Sequence, residues 1–160
     1  MNIQTFLVMG SIVALTFTIL TMNRNQALQS QLQINNEAIL TATGIGQSFL
    51  EEIQLKAFDE NTIDTLISDV NDLTCAQLLK PETGETSFYL YDDIDDFNGY
   101  THADTLDRLG IFKTGIIVYY VETMKPDQKL TTKSFSKRID IKIENEYLID
   151  AVVFSKVISY

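Results

Sequence analysis

The N-terminal part of the chain is defined by a long apolar run. Residues 1–23 contain no charged side chain, and residues 6–22 are apolar apart from small or hydroxylated positions. As a helix, this run of 17 residues would be about 26 Å long, near the lower limit for crossing a bilayer core of about 30 Å. Because apolar surface is costly to expose to water, the pattern predicts a helix that lipid or protein must cover.

Three interpretations of this run compete. A cleavable secretory signal would have a basic segment in front of the run and a small-x-small cleavage site behind it. The chain instead has Asn2 and Gln4 in front and the residues Asn23, Arg24 and Asn25 behind. A buried helix of a soluble domain would be amphipathic, and this run has no solvated face. The pattern therefore favours a membrane anchor or the core helix of a filament.

The apolar helix is predicted to contact copies of itself. Small or hydroxylated residues let apolar helices approach closely and hydrogen-bond to one another, and this run contains Gly10, Ser11, Ala14, Thr16, Thr18 and Thr21. The large apolar residues form the predicted subunit interface, which consists of Phe6, Leu7, Val8, Ile12, Val13, Leu15, Phe17, Ile19 and Leu20. Arg24 is the nearest basic residue, and one charge does not fix the orientation of a helix in a membrane.

The helical pattern continues beyond the apolar run. Within residues 26–56, which lack proline, apolar residues recur at helical spacing: Leu28, Leu32, Ala38, Ile39, Ala42, Ile45, Phe49 and Ile53. This predicts one helix of about 50 residues whose second half is amphipathic and lies with its apolar stripe on the domain that follows. The two asparagines at residues 35–36 and the two glycines within residues 44–46 are predicted weak points of this helix.

The C-terminal part is rich in β-branched and aromatic residues. Strands are predicted at residues 87–91, 115–124, 135–144 and 147–160, with turns at residues 80–84 and 125–127. In the clearest strand, Ile139, Ile141 and Ile143 alternate with polar residues, so one face is buried.

These patterns together predict an α+β chain in which a long N-terminal helix packs on an antiparallel sheet of three or four strands. Its predicted parts are an anchor or filament-core helix (residues 1–25), an amphipathic continuation (residues 26–57) and an acidic, strand-rich domain (residues 58–160).

Charge limits the classes of partner. The chain has 12 basic and 22 acidic residues and a formal net charge of -10, which would repel nucleic acid, so neither DNA nor RNA is an expected partner. The acidity is concentrated in residues 51–110, with 15 acidic and 3 basic side chains. It is interpreted as a solvated face, or as a surface complementary to the mildly basic residues 111–160 of a neighbouring copy.

The densest group of titratable residues is an acidic string in the middle of the chain. Asp92, Asp93, Asp95 and Asp96 offer four carboxylates within five positions, and oxygen ligands suit Ca²⁺. The spacing does not match an EF-hand loop, because Phe97 stands where an oxygen ligand belongs. Two interpretations remain open, a calcium site and a turn whose side chains hydrogen-bond to their own backbone.

No catalytic constellation is evident. His102 is the only histidine and is predicted to lie in an exposed loop, and Cys75 is the only cysteine and is predicted to be buried as a small apolar group. The sequence lacks a glycine-rich phosphate loop and any Cys/His spacing typical of zinc. We therefore expect a structural protein rather than an enzyme, with no cofactor apart from the candidate Ca²⁺.

An apolar N-terminal helix that continues into an amphipathic one and packs on an antiparallel sheet resembles the type IV pilin and pseudopilin superfamily. The acidic string followed by Phe97, Asn98, Gly99 and Tyr100 is similar to acidic loops followed by an aromatic residue in some pilin-like proteins. The resemblance implies a filament with a bundle of these helices at its centre and the sheet domain outside.

Membership of this superfamily would also imply a place in the cell. The chain would reside in the inner membrane before assembly and at the cell surface afterwards, with copies of itself as its partners. Pilins carry a glutamate at the fifth mature position, where this sequence has Thr5, and no short basic leader ending in glycine precedes Met1. Either a leader is removed before Met1, or the chain is inserted and assembled by another route.

Overall fold

The computed structural model describes residues 2–160, so Met1 of the predicted anchor segment lies outside the described residues. One helix, α1, extends without interruption over Ile3–Gln54. The predicted weak points at residues 35–36 and 44–46 do not break it. The long N-terminal helix of the prediction is confirmed.

A sheet of five antiparallel strands follows the helix. Its strands are β1 (Thr101–Leu106), β2 (Gly110–Glu122), β3 (Lys125–Lys129), β4 (Ser136–Glu144) and β5 (Val152–Ser159). The order across the sheet is β1-β2-β4-β5, and β3 pairs with the end of β2. Short 3₁₀ helices occupy Glu60–Thr62, Val70–Asp72, Phe88–Leu90 and Asp95–Phe97. The α+β class is therefore confirmed, with five strands where three or four were predicted.

Three elements differ from the prediction. Residues 87–91 are not a strand but contain the 3₁₀ helix Phe88–Leu90, because Phe88 packs against the rings of Phe49 and Phe97 instead of joining a ladder. Strand β1 was not predicted, since its residues are mostly exposed and lack an apolar alternation. The predicted turn at residues 125–127 lies within the short edge strand β3, where Pro126 is tolerated because an edge strand leaves one side unpaired.

The chain divides into two compact units. Residues 1–37 form the first, in which the described residues are all helical from Ile3 onward, and residues 38–160 form the second. The second unit contains the end of α1 and the sheet. Helix residues Ala38, Ala42, Gly46 and Ile53 are buried at intervals that place them on one side. The inward faces of β2 and β4 complete this core with Phe112, Ile116, Val118, Ile139, Ile141 and Ile143.

Gly46 lies at a close contact between α1 and the sheet. A Cβ atom at this position would lie 2.3 Å from the ring of Phe154 and 3.0 Å from Ile143. At Gly44, on the same helix, a Cβ atom would meet nothing within 4 Å. Contact between α1 and the sheet therefore requires a residue without a side chain at position 46, but not at position 44.

These two glycines give the first testable prediction. Gly46→Ala is expected to lower the free energy of unfolding by about 1–3 kcal/mol, because the added methyl group overpacks a filled site. Gly44→Ala is the matched control and is expected to raise it by up to about 1 kcal/mol, because alanine is the better helix former. Both free-energy changes are measured by thermal unfolding of the full-length chain in non-ionic detergent, monitored by the near-UV circular dichroism of its tyrosines. A Gly46→Ala protein as stable as the Gly44→Ala protein would contradict the packing described.

Candidate functional site

The N-terminal half of α1 presents an apolar surface that the chain itself does not cover. Residues 2–33 are all exposed, and the nine predicted interface residues retain between 49% (Ile19) and 69% (Val13 and Phe17) of their accessible surface. An 18-residue window of this helix has a mean hydropathy of 2.0, and none of it is buried. By length and composition, α1 is apolar enough to cross a membrane.

The hydroxyl groups on this surface are satisfied within the helix. Thr16 donates to the carbonyl of Ile12 at 2.8 Å, and Thr18 donates to the carbonyl of Ala14 at the same distance. Ser11 and Thr21 also donate to carbonyl oxygens of the preceding turn. A buried hydroxyl without an acceptor would cost about 1–3 kcal/mol, so these internal bonds let the surface be covered by an apolar partner without that cost.

The acidic string forms a turn stabilised by its own side chains. Asp93 Oδ1 accepts hydrogen bonds from the backbone N–H of Asp95 at 2.6 Å and of Asp96 at 3.2 Å. Asp96 Oδ2 accepts from the N–H of Asp92 at 3.0 Å and of Asp93 at 3.3 Å. The interpretation of this string as a turn bonded to its own backbone is confirmed.

The turn is fixed to three other parts of the second unit. On one side, the N–H of Ala57 donates to the carbonyl of Asp92, and the N–H of Ile94 donates to the carbonyl of Ala57, both at 3.0 Å. On the other side, Asn98 donates to the carbonyl of Leu79 and accepts from the N–H of Val118 in β2. The acidic turn is therefore a connector between the end of the helix and the sheet.

A fully buried lysine lies beneath this turn. Lys137 of β4 places its Nζ atom 2.9 Å from Asp59 Oδ2 and 2.5 Å from Asp95 Oδ1, and donates to the carbonyl of Phe58 at 2.7 Å. The ammonium group also lies 4.5 Å from the ring centre of Phe58 and 5.2 Å from that of Tyr120. One cation thus connects the segment after the helix, the acidic turn and the sheet.

Asp59 is the charged partner of this lysine. It accepts further hydrogen bonds from the N–H and hydroxyl of Thr74 and from the hydroxyl of Tyr120. Burial by itself would raise the pKa of Asp59, but the charge of Lys137 and the hydrogen bonds from Lys137 and Thr74 outweigh burial and lower it. Asp59 therefore stays ionised and balances Lys137.

Two further buried carboxyl groups of this region, Asp93 and Asp95, bind protons more tightly than usual. Burial raises the pKa of Asp95 to about 7, although Lys137 opposes the rise. Burial and the nearby charges of Asp95 and Asp96 raise the pKa of Asp93 to about 8. These groups change charge near neutral pH, while isolated aspartates ionise well below it.

A pH dependence of stability follows from these shifts. The ordinary pKa of Asp93 and Asp95 is near 3.8, so the stability that their protonated forms contribute is complete below that pH and is lost as the pH rises through about 7 and 8. Asp59 acts oppositely, because the stability from its lowered pKa is lost only as the pH falls below 3.8. We therefore expect the melting temperature, measured in detergent with a chelator, to fall between about pH 5 and pH 8.

Asp93→Asn is the control for this pH prediction. An asparagine oxygen can still accept the two backbone hydrogen bonds that Asp93 accepts, but it does not titrate. The variant should therefore lose part of the pH dependence while keeping the turn. A melting temperature that rises across this interval, or an equally steep fall in the variant, would contradict the assignment.

Sequence reasoning missed Lys137, although the pattern contains a signal for it. Ile139, Ile141 and Ile143 point inward, and the same two-residue period places residue 137 on the inward face. A lysine at a buried position of a strand requires an acidic partner. The partners, Asp59 and Asp95, are 78 and 42 positions away in sequence, so the pattern alone does not identify them.

Three of the four aspartates predicted as calcium ligands have different partners in the structure. Asp95 contacts Lys137, and one carboxylate oxygen of Asp93 binds the turn backbone. Asp96 lies instead with Glu82 and Glu85, and one ligand atom from each of these three residues falls within 4.8 Å of the others. A calcium site at all four aspartates, Asp92 included, stays a prediction.

Two further predictions concern single residues. Cys75 is exposed, so the prediction that it is buried is wrong, because Leu73 and Leu79 take the inward positions of this segment. His102 is exposed as predicted, but it lies in strand β1 rather than in a loop, with Nε2 3.1 Å from Asp104 Oδ1.

No protein-family model, curated protein or solved structure matches the chain. The long apolar N-terminal helix and the C-terminal antiparallel sheet are compatible with a pilin-like fold. The resemblance to pilins is carried by this layout, by the apolar run and by residues 92–100.

Proposed function

We propose that the chain is a structural subunit of a bacterial extracellular filament and polymerises through its apolar N-terminal helix. One observation carries the proposal. Every residue of the apolar run 6–22 is exposed, although the chain has a second unit with a well-formed core of its own. A folded protein that leaves so long an apolar run uncovered requires lipid or other protein molecules to cover it.

The free energy gained by removing this apolar surface from water supports an obligatory partner. Removing apolar surface from water contributes about 25 cal/mol per Å², so nine large side chains that stay about half or more exposed represent a strong driving force for association. The four hydroxyl groups described above already donate within the helix, which removes the main polar cost of covering this surface. Copies of the same helix are a suitable covering.

Small residues favour helix contact over contact with lipid alone. A Cβ atom at Gly10 would meet nothing within 4 Å in the single chain, so the glycine is not required by the chain's own packing. Glycine and alanine in an apolar helix let a neighbouring helix approach closely, and Ala14 lies one turn after Gly10. This pair would form the contact point between copies.

The membrane is the expected location of the chain before assembly. The same helix is long and apolar enough to span a bilayer, and this observation also supports the alternative function, a single-pass membrane-anchored envelope protein or a minor pseudopilin of a secretion or pilus system. In both cases the second unit is a structural domain and carries no catalytic activity. The two functions differ in whether copies of the helix contact one another along a polymer.

Microscopy of sheared cell-surface material separates these functions. Cells that produce the chain with an epitope tag after Tyr160, which is exposed, are sheared, and the released material is labelled with antibody. The filament proposal predicts fibres that are labelled along their whole length, and a membrane fraction that contains only chains not yet assembled. Label confined to the membrane fraction, or present only at fibre ends, would favour the alternative.

A further inference from the structure

Three carboxyl groups of the second unit face one another beside the acidic turn. Glu82 and Glu85 come from the turn that precedes the 3₁₀ helix Phe88–Leu90, and Asp96 comes from the acidic turn. One ligand atom from each lies within 4.8 Å of the other two. The N–H of Glu82 donates to Glu85 Oε2 at 2.9 Å, which holds the two glutamates in this arrangement.

Two oxygens of the group are buried and accept no hydrogen bond. Asp96 is fully buried, and while its Oδ2 atom accepts two backbone hydrogen bonds, its Oδ1 atom has no partner. Glu82 Oε2 is likewise buried without a partner. A buried carboxylate oxygen without a donor is costly, so a proton or a cation is required at this point.

The surroundings are acidic. Burial and the neighbouring carboxyl groups of Glu85 and Asp96 raise the pKa of Glu82 to about 8, and the charge of Asp93 raises it further. Burial also raises the pKa of Asp92, and the charge of Glu85 adds to the rise. Although burial opposes the shift, hydrogen bonds with Glu82 lower the pKa of Glu85, which therefore supplies negative charge that would attract a cation into the cluster.

We propose that Glu82, Glu85 and Asp96 form a binding site for a divalent cation of the calcium type. Two oxygens bound to one Ca²⁺ at about 2.4 Å are at most about 4.8 Å apart, which matches the spacing of the three ligand atoms. Ca²⁺ accepts carboxylate and water oxygens in flexible geometry, so water would complete the shell. The cation would tie the turn at residues 82–85 to the acidic turn.

The principal experiment is a melting curve of the full-length chain in non-ionic detergent at neutral pH. Extracellular calcium sites typically have dissociation constants of about 0.1–1 mM. Relative to a chelator, 10 mM Ca²⁺ is therefore expected to raise the melting temperature by about 3–10 °C. An unchanged melting temperature would overturn the proposal and leave protons as the only neutralising charge of the cluster.

Paired variants separate binding from a general response to charge. Glu82→Gln/Glu85→Gln removes two ligand carboxyl groups, and Glu51→Gln/Asp64→Asn removes two exposed carboxyl groups outside the cluster. The first variant should be at least as stable as the unmodified chain in chelator, because it relieves repulsion, and should lose the Ca²⁺ response. The control should keep it. Equal responses in both variants would overturn the proposal.

Terbium luminescence tests the location of the site independently of stability. The chain has no tryptophan, and Tyr91 lies close enough to Glu85 and Asp96 for their charges to raise its pKa, after burial as the main cause. Bound Tb³⁺ should therefore emit on tyrosine excitation, and Ca²⁺ should displace it. Emission that is equal in the Glu82→Gln/Glu85→Gln variant would contradict the site. Both measurements use the detergent-bound monomer, so their outcome does not depend on polymerisation.

Discussion

Replacing Lys137 with methionine is expected to lower the free energy of unfolding by about 3–5 kcal/mol, the cost typical of breaking a buried ion pair from one side. Methionine has a similar volume, so the loss comes mainly from Asp59, which would remain charged and fully buried. Lys142 of the same strand is exposed and paired with Glu144. Lys142→Met is the control and should change the value by less than about 1 kcal/mol. Denaturant unfolding in non-ionic detergent gives both values.

A double variant distinguishes the ion pair from a simple packing defect. Asp59→Asn in the Lys137→Met background removes the uncompensated charge, and its amide oxygen can still accept from Thr74. The double variant should therefore be less destabilised than the sum of the two single variants by more than about 1 kcal/mol. Additive losses would show that Lys137 and Asp59 do not act as a pair.

Gly10→Leu is expected to reduce filament yield by at least about tenfold while the chain still reaches the membrane. The leucine is as apolar as the residues around it, so insertion is retained, but its side chain would occupy the space through which a neighbouring helix approaches. Overpacking of a close contact costs about 1–3 kcal/mol, and about 1.4 kcal/mol is already tenfold in an equilibrium constant. The measurement compares labelled fibres with labelled membrane protein.

Gly10→Ala and Leu28→Met serve as controls. Alanine adds one methyl group and should reduce filament yield less than leucine does. Leu28 is exposed on the same helix but lies outside the predicted interface, so a volume-conserving change there should alter assembly little. Full filament yield from the Gly10→Leu chain would favour a membrane anchor that does not polymerise.

The helix was predictable from the sequence because its strongest local signals agree. Residues 3–54 lack proline and keep a helical spacing of apolar residues, so neither the glycines at 44 and 46 nor the asparagines at 35 and 36 interrupt it. Strand β4 was predictable for a similar reason, since its isoleucines alternate with polar residues. Strand β1 lacks such an alternation and takes its position from pairing with β2.

The buried charges were not predictable in the same way. The acidic middle third is typical of a solvated face, yet Asp59, Asp93, Asp95 and Asp96 are all buried. Their burial depends on contacts between residues distant in sequence, above all between β4 and the segment after the helix. The three-carboxylate cluster likewise combines residues from two turns, so it was visible only once both turns were placed together.

The most direct test of filament assembly is the identity of the molecule that touches the apolar helix. Phe17 is 69% exposed and lies in the predicted interface, so a photoreactive phenylalanine analogue there retains the aromatic ring. In cells that assemble the chain, irradiation is predicted to give ladders of cross-linked multimers joined within residues 6–22. Cross-links to lipid alone, or to a different protein, would contradict the account.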